Sequence, residues 1–213
     1  MPGGKFITFE GIEGSGKTSH LRRLSCYLAE IGVRHIVTRE PGGTQFGQEI
    51  RAVLLDSSGA SRHPYSELLL YLADRIQDLN EVIRPALERG IHVLCDRYHD
   101  ATRAYQGFAR GIPSGLIDTL AEKLQILTPD LTLVFEVDIP QGLERARRRN
   151  LQKGQETQGR FEKEDLDFHR RVQEGYRFIA ELEPKRFRFV NTSGEFDQAQ
   201  TQVREIVRSF LET

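Results

Sequence analysis

Short apolar runs alternate along this chain with longer stretches whose apolar residues recur every three or four positions. The runs at 5–10, 34–38, 91–95, 131–137 and 187–191 are rich in Ile, Val, Leu and Phe and predict five strands. Such near-continuous apolarity suits strands buried on both faces, so the sheet is expected to be mostly parallel and covered by helices on both sides. Helical spacing predicts helices over 21–31, after Thr44, from near Pro64, and over 114–127, 140–149, 163–182 and 196–211. Pro85 is expected to kink the long helix that begins near Pro64 or to start a new one, with Gly90 as its carboxyl cap. No repeat or long linker interrupts the alternation. The chain, 1–213, is therefore read as one α/β domain: a three-layer α/β/α fold around a five-stranded, mostly parallel sheet.

Composition narrows the classes of function. Of the 213 residues, 38% are hydrophobic and 29% charged, as in an ordinary globular protein, and the formal net charge is −1. A near-neutral chain has no global field to draw it to nucleic acid or to an anionic membrane. No segment has the length and apolarity of a membrane span, and Met1-Pro-Gly-Gly-Lys5 does not open an apolar leader. Two cysteines, Cys26 on a predicted helix and Cys95 in a predicted strand, make neither a disulfide framework nor a metal cluster. They are read as core residues in a reducing, cytoplasmic setting.

The chemistry concentrates behind the first strand. Gly11-Ile12-Glu13-Gly14-Ser15-Gly16-Lys17-Thr18 fits G-x-x-x-x-G-K-[ST], between a strand and a helix as phosphate binding requires. Glycines free the backbone N–H groups to close around phosphate oxygens, and the helix aims its positive end at the same charge. Lys17 would reach the outer phosphates of a nucleotide, and the Thr18 hydroxyl would ligate magnesium.

A matching second half follows. The third strand ends in Asp96, the carboxylate such a site needs for magnesium or its waters, with Arg97 next. Arg39 leaves the second strand in Arg39-Glu40-Pro41-Gly42-Gly43-Thr44, and ligands of open α/β sheets bind at these strand ends. Arg39 is thus placed to clamp a second phosphate-bearing molecule. Tyr71, Asp74 and Arg75 share one helix face, and an arginine among Leu68, Leu69, Leu70 and Leu72 needs a partner or a ligand. The polar stretch 150–159 reads as a mobile loop flanked by Arg145, Arg147, Arg148, Arg149 and Arg160. Those arginines fit a solvated helix end, a nucleic-acid patch, or a lid that folds over phosphates during transfer, and in a nucleotide enzyme the lid reading gains weight.

These signatures together resemble the bacterial thymidylate kinases along essentially the whole chain. They run in order: Phe9-Glu10-Gly11, Thr38-Arg39-Glu40-Pro41-Gly42-Gly43-Thr44, Leu72-Ala73-Asp74-Arg75, Asp96-Arg97-Tyr98, Ala104-Tyr105-Gln106-Gly107 and Pro129-Asp130-Leu131-Thr132. The resemblance implies magnesium-dependent transfer of the γ-phosphoryl group of ATP to dTMP, by a homodimer paired through helices. By position, Gly11 to Thr18 would hold ATP, with Arg149 near its adenine. Thr18 and Asp96 would serve magnesium. Glu13 would lie near the acceptor's 3′-hydroxyl, and Arg39 and Arg97 on its phosphate. Tyr71 would stack on thymine, Arg75 and Gln106 would read its edge, Thr102 would sit beside the base, and Tyr105 would fill the space of a 2′-hydroxyl. Lys17, Asp96, Arg97 and Arg160 would act in transfer, Arg160 as the lid arginine of a segment spanning about 149–161.

The sequence departs from the family in a longer lid, in Gly159 before Arg160 where an aspartate is usual, in Tyr71 for phenylalanine and in Ala101 for serine. A GTP-dependent switch would also start from a phosphate loop, and Asp56-Ser-Ser-Gly59 mimics its D-x-x-G. That segment follows a helical pattern, however, and N-K-x-D is missing from the sequence. A non-catalytic nucleotide-binding protein and another nucleoside monophosphate kinase are the remaining alternatives; the phosphate clamp at Arg39 disfavours a bare nucleoside as acceptor.

Overall fold

The structure is a computed structural model and describes residues 3–57, 61–152, 154 and 159–212. Five strands form one sheet: β1 (Phe6–Glu10), β2 (His35–Arg39), β3 (His92–Asp96), β4 (Leu131–Glu136) and β5 (Phe187–Asn191). Their order is β2-β3-β1-β4-β5 and every neighbouring pair is parallel. The expectation of a mostly parallel sheet resolves to a wholly parallel one. Because all strands point the same way, their carboxyl ends share one edge, and the register sets Phe9 and Arg39 both level with Asp96. The chain leaves β1 for β2 in one direction along the sheet and β3 for β4 in the other, which opens a crevice between the neighbouring strands β1 and β3 at that edge.

Strand alternation divides the core into two faces. Ile7, Phe9, Leu94, Leu131, Leu133 and Phe135 pack against Leu21, Leu24 and Leu28 of α1 (Lys17–Glu30) and Val203 and Val207 of α9 (Phe196–Leu211). Phe6, Val93 and Cys95 face the other way, toward Leu79, Ile83 and Ala86. Val134 on that second face meets Phe168, Val172 and Tyr176 of α8 (Leu166–Leu182). Cys95 is buried as expected, but Cys26 is exposed, because the buried face of α1 runs through His20, Leu21, Leu24 and Leu28.

After β2 come α2 (Gln45–Leu55) and α3 (Pro64–Asp78), then α4 (Arg84–Glu88). Pro85 is accommodated by a π-helical turn, Leu79–Ile83, in which Arg84 N–H reaches the Leu79 carbonyl. A proline offers no N–H to the turn before it, and a widened turn absorbs the deficit. Gly90 at φ 68 then ends the segment. The helical stretch α5 (His99–Thr102), continued by a π-helical segment Arg103–Ala109, has no counterpart in the sequence reading. A π segment does not follow the 3.6-residue period, and Gly107 weakens the helical signal further. Gly175 on α8 lets this segment in close, since a Cβ there would come within 2.9 Å of the Phe108 ring. α6 (Ser114–Lys123) stops short of 127 because Ile126 and Leu127 turn back onto the core. α7 is Ile139–Gln152; α8 begins late because Asp165 caps it, its carboxylate accepting from Phe168 N–H at 2.6 Å.

The loop after β2 is pinned to α3 by buried carboxylates. Gly42 N–H donates to Asp74 at 2.9 Å, and the Thr38 hydroxyl donates to Asp78 at 2.9 Å. A side chain at Gly43 would collide with Asp78 and Thr38, so the second glycine is needed for close approach. Burial pushes Asp74 up to about 6 and Asp78 up to about 7, from an ordinary 3.8. Between 3.8 and about 7 the folded protein holds a proton on Asp78 that the unfolded chain releases, so this group's stabilisation is lost as pH rises through that window. Asp78→Asn is therefore expected to lose less melting temperature than the native chain between about pH 5 and 8, read by circular dichroism; parallel curves would refute the raised carboxyl.

Candidate active site

The turn from β1 into α1 is shaped by close contacts that exclude side chains. Gly11 has φ 131 and Gly14 φ 71, and a Cβ at either would strike a carbonyl, that of Phe135 or of Gly142. The loop therefore presents its amides at the start of a helix, where the dipole favours an anion. Ile12 contributes only its backbone, since its side chain is fully buried in the core. Thr192 anchors the loop from β5's end, its hydroxyl donating to the Ser15 carbonyl at 2.9 Å. Lys17 curls into the loop, its Nζ donating to the carbonyls of Gly11 at 2.9 Å and Ile12 at 2.8 Å. Burial, with Arg97 as a like charge, brings its ammonium down to about 7 against the pull of Asp96, Glu13 and Glu10. The Thr18 hydroxyl donates to Asp96 Oδ2, which joins the loop to the end of β3 as expected.

Arg97 continues from Asp96 at φ 69, a left-handed conformation that a long side chain rarely adopts. Its guanidinium lies 4.9 Å from the centre of the Tyr105 ring and donates to Glu13 Oε1 at 2.7 Å. The Tyr105 hydroxyl donates to the same carboxylate at 2.9 Å. Burial alone would raise Glu13, but Arg97, Lys17 and His169 outweigh it and hold the carboxyl below its usual value. The π-helical segment that sequence did not foresee is what delivers Tyr105 and Gln106 to the cleft.

Arg39 is exposed at the end of β2 and has no ion-pair or hydrogen-bond partner among the described residues. Arg51, which sequence reasoning missed, joins it from α2, donating to the Pro41 carbonyl at 2.9 Å. Burial and the like charge of Arg39 push the Arg51 guanidinium down. Asp74 and Asp96 lie near enough to temper the two charges, but neither guanidinium has an ion-pair partner among the described residues, so the pair is suited to an anion. The signal available was position, since Arg51 lies one turn beyond Gly47, which the Arg-Glu-Pro-Gly-Gly-Thr loop packs against.

Tyr71 is half-buried, and burial together with Glu67 pushes its hydroxyl well up, while Arg97 and Arg160 act in the opposite sense. Arg75 is 1% exposed and heavily committed: to Glu40 at 2.7 Å, Thr102 at 2.9 Å, the Tyr98 carbonyl at 3.0 Å and His99 Nδ1 at 3.4 Å. Burial and the neighbouring Arg75 and Arg103 keep His99 neutral, so its Nδ1 can accept. Of the five N–H donors of Arg75, one remains for a ligand.

The two arginines expected of a lid are engaged with carboxylates. Arg160 pairs with Glu67 of α3 and donates to the Leu54 carbonyl at 3.4 Å. Arg149 pairs with Glu162 at 3.4 Å and donates to Asn150. Lys153 and residues 155–158 of the expected lid, like Ser58 and Gly59 of the D-x-x-G mimic, lie outside the described residues; Asp56 itself follows helix α2. Gln106 is buried, its Nε2 donating to Glu67 Oε1 at 2.8 Å. Glu67 was also missed, although it continues the Tyr71–Asp74–Arg75 face back by one turn.

This geometry has relatives. Residues 9–203 match the family profile described as Thymidylate kinase. Thymidylate kinases of Nitratidesulfovibrio vulgaris and Pelobacter propionicus are 48% and 50% identical, covering 97% and 92% of this chain and 97% and 90% of theirs. A crystal structure of thymidylate kinase from Ehrlichia chaffeensis superposes with a TM-score of 0.78 at 33% identity, over 97% of this chain and 100% of that one. A family profile matched over residues 9–203, with relatives about half identical over nearly the whole chain, leaves one conclusion: the chain belongs to the thymidylate kinase family.

Proposed function

We propose that this protein transfers the γ-phosphoryl group of ATP to dTMP, forming dTDP and ADP, with the whole chain acting as one kinase domain and 149–161 as its lid. The observation that carries the reading is one cleft in which the loop lysine, the Thr18–Asp96 pair and the Glu13–Arg97–Tyr105 cluster meet. An oxygen of the dTMP phosphate attacks the γ-phosphorus while the bond to the β–γ bridging oxygen breaks. The nucleophile is already an anion, so no general base is required. The obstacle is repulsion between two phosphates, and cations on both sides are the remedy.

Lys17 would exchange the Gly11 and Ile12 carbonyls for β- and γ-phosphate oxygens, which restores its full charge. Arg97, Arg39 and Arg51 would grip the acceptor phosphate. Thr18 and Asp96 offer the hard oxygen donors that magnesium prefers, and the metal would neutralise phosphate charge when bound. Arg160 would leave Glu67 and reach the transferring group as the lid closes, with Arg149 beside adenine. Tyr71 would stack on thymine, with Arg75, Thr102 and Gln106 at its edge. Glu13, kept ionised, would face the 3′-hydroxyl, and Tyr105 would occupy the space a 2′-hydroxyl needs. Homodimerisation through helices is supported by the exposed Phe46 and Val53 on α2 and Leu69 on α3, and a cytoplasmic setting by two unpaired cysteines.

In a coupled assay with ATP and magnesium, dTMP is expected to exceed dCMP, UMP and GMP clearly, with dUMP a weaker substrate; equal rates across the panel would remove the thymine assignment. Arg160→Ala should lower kcat by roughly 10³-fold while changing the KM for dTMP little, because the arginine acts on developing charge. Unchanged turnover would leave Arg160 as a surface ion pair. Tyr105→Ala should admit ribonucleotides and Tyr105→Phe should not, measured as the ratio of kcat/KM for dTMP and its ribose counterpart; an undiminished deoxy preference in the alanine variant would acquit the ring.

A further inference from the structure

The side chain of Glu67 is fully buried under the acceptor cleft, and three groups converge on it. Gln106 Nε2 donates to Oε1 at 2.8 Å, Arg110 approaches Oε1 at 3.6 Å, and Arg160 pairs with Oε2. A carboxylate between two guanidinium groups can only accept hydrogen bonds. It therefore dictates which end of the Gln106 amide faces it: the NH2 end turns to Glu67. The other end, Oε1, makes no hydrogen bond to any described residue. An amide left to itself can present either a donor or an acceptor, so a side chain used for reading a base must have its orientation fixed from behind.

We infer that Glu67 is a positioning residue for base selection: by locking the Gln106 amide, it presents a carbonyl oxygen that accepts from the N3–H of thymine and opposes the N3 lone pair of cytosine. This rests on the proposed role of Gln106 as the reader of the base edge. Glu67 lies one helical turn before Tyr71, so the locked amide and the stacking ring border the same space. A buried hydrogen-bonding site rejects a mismatched partner strongly, because an unmet acceptor facing another acceptor is costly in a dry cleft.

The test is the ratio of kcat/KM for dTMP to that for dCMP, measured in Glu67→Gln and Gln106→Ala. Glu67→Gln keeps the shape but lets the facing amide turn over. It is expected to lower the ratio roughly tenfold or more, through a raised KM for dTMP and a lowered one for dCMP. Any loss of turnover from freeing Arg160 acts on both substrates and cancels in the ratio. In a Gln106→Ala background the same Glu67→Gln change should leave the ratio alone. Should Glu67→Gln not fold, Glu67→Asp keeps the charge for both arginines, draws the oxygens back from the amide, and should show the same loss. A ratio that collapses in Gln106→Ala yet survives in the Glu67 variants overturns the positioning role alone. A ratio that survives in Gln106→Ala overturns base reading by Gln106 and this inference with it.

Discussion

The ion pair between Arg97 and Glu13 joins the two halves of this molecule. Glu13 belongs to the phosphate loop at the end of β1, Arg97 to the exit of β3, and the two strands are hydrogen-bonded neighbours. Breaking one partner of so enclosed a pair leaves a charge with little water, at a cost of several kcal/mol, whereas the intact pair adds little net stability. Its value is geometric. Arg97 is held in a left-handed backbone conformation, and Tyr105 closes the cluster from a third element. Strain and burial are concentrated where two anionic substrates must meet, and the apolar layers behind the sheet hold the arrangement in place.

Two cations of the cleft have internal partners. Lys17 rests on loop carbonyls and Arg160 on Glu67. Under the proposed reaction substrate phosphates would replace each partner, so binding would exchange contacts where otherwise it would have to create them. Arg39 differs: exposed and without a partner among the described residues, it supplies an anion-seeking field at the mouth of the cleft. The buried carboxylates Glu40, Asp74 and Asp78 lie at or behind the loop after β2, and burial raises all three. Arg75 tempers their repulsion, although only its Nε donates to one of them, Glu40; its other engaged donors go to Thr102, the Tyr98 carbonyl and His99.

Much of this was legible in the sequence, for identifiable reasons. Strands buried on both faces announce themselves by unbroken apolarity, and all five lie within a residue or so of their expected positions. Thr18, Asp96 and Arg97 were readable because strand–loop–helix order alone puts their residues at one sheet edge, whereas Glu13 was singled out by the family resemblance. What escaped depended on a departure from regular geometry or on side chains meeting across elements. The π-helical turn at 103–109 has no 3.6-residue signature, so the helix that delivers Tyr105 and Gln106 was invisible. Arg51 and Glu67 sit on foreseen helices, but their importance comes from what faces them: a like charge in one case, an amide and two guanidinium groups in the other. The resting place of Arg160 on α3 reflects a tertiary contact that no local pattern encodes.

A crystal structure with a bisubstrate dinucleotide, thymidine and adenosine joined through a phosphate chain, tests the central claim most directly. The expected result puts Lys17 on the phosphate chain and off the Gly11 and Ile12 carbonyls, with the Arg97–Glu13 pair intact beside the thymidine end. A thymidine end bound away from Arg97 and Tyr71, or a phosphate chain that leaves Lys17 on its carbonyls, would contradict it.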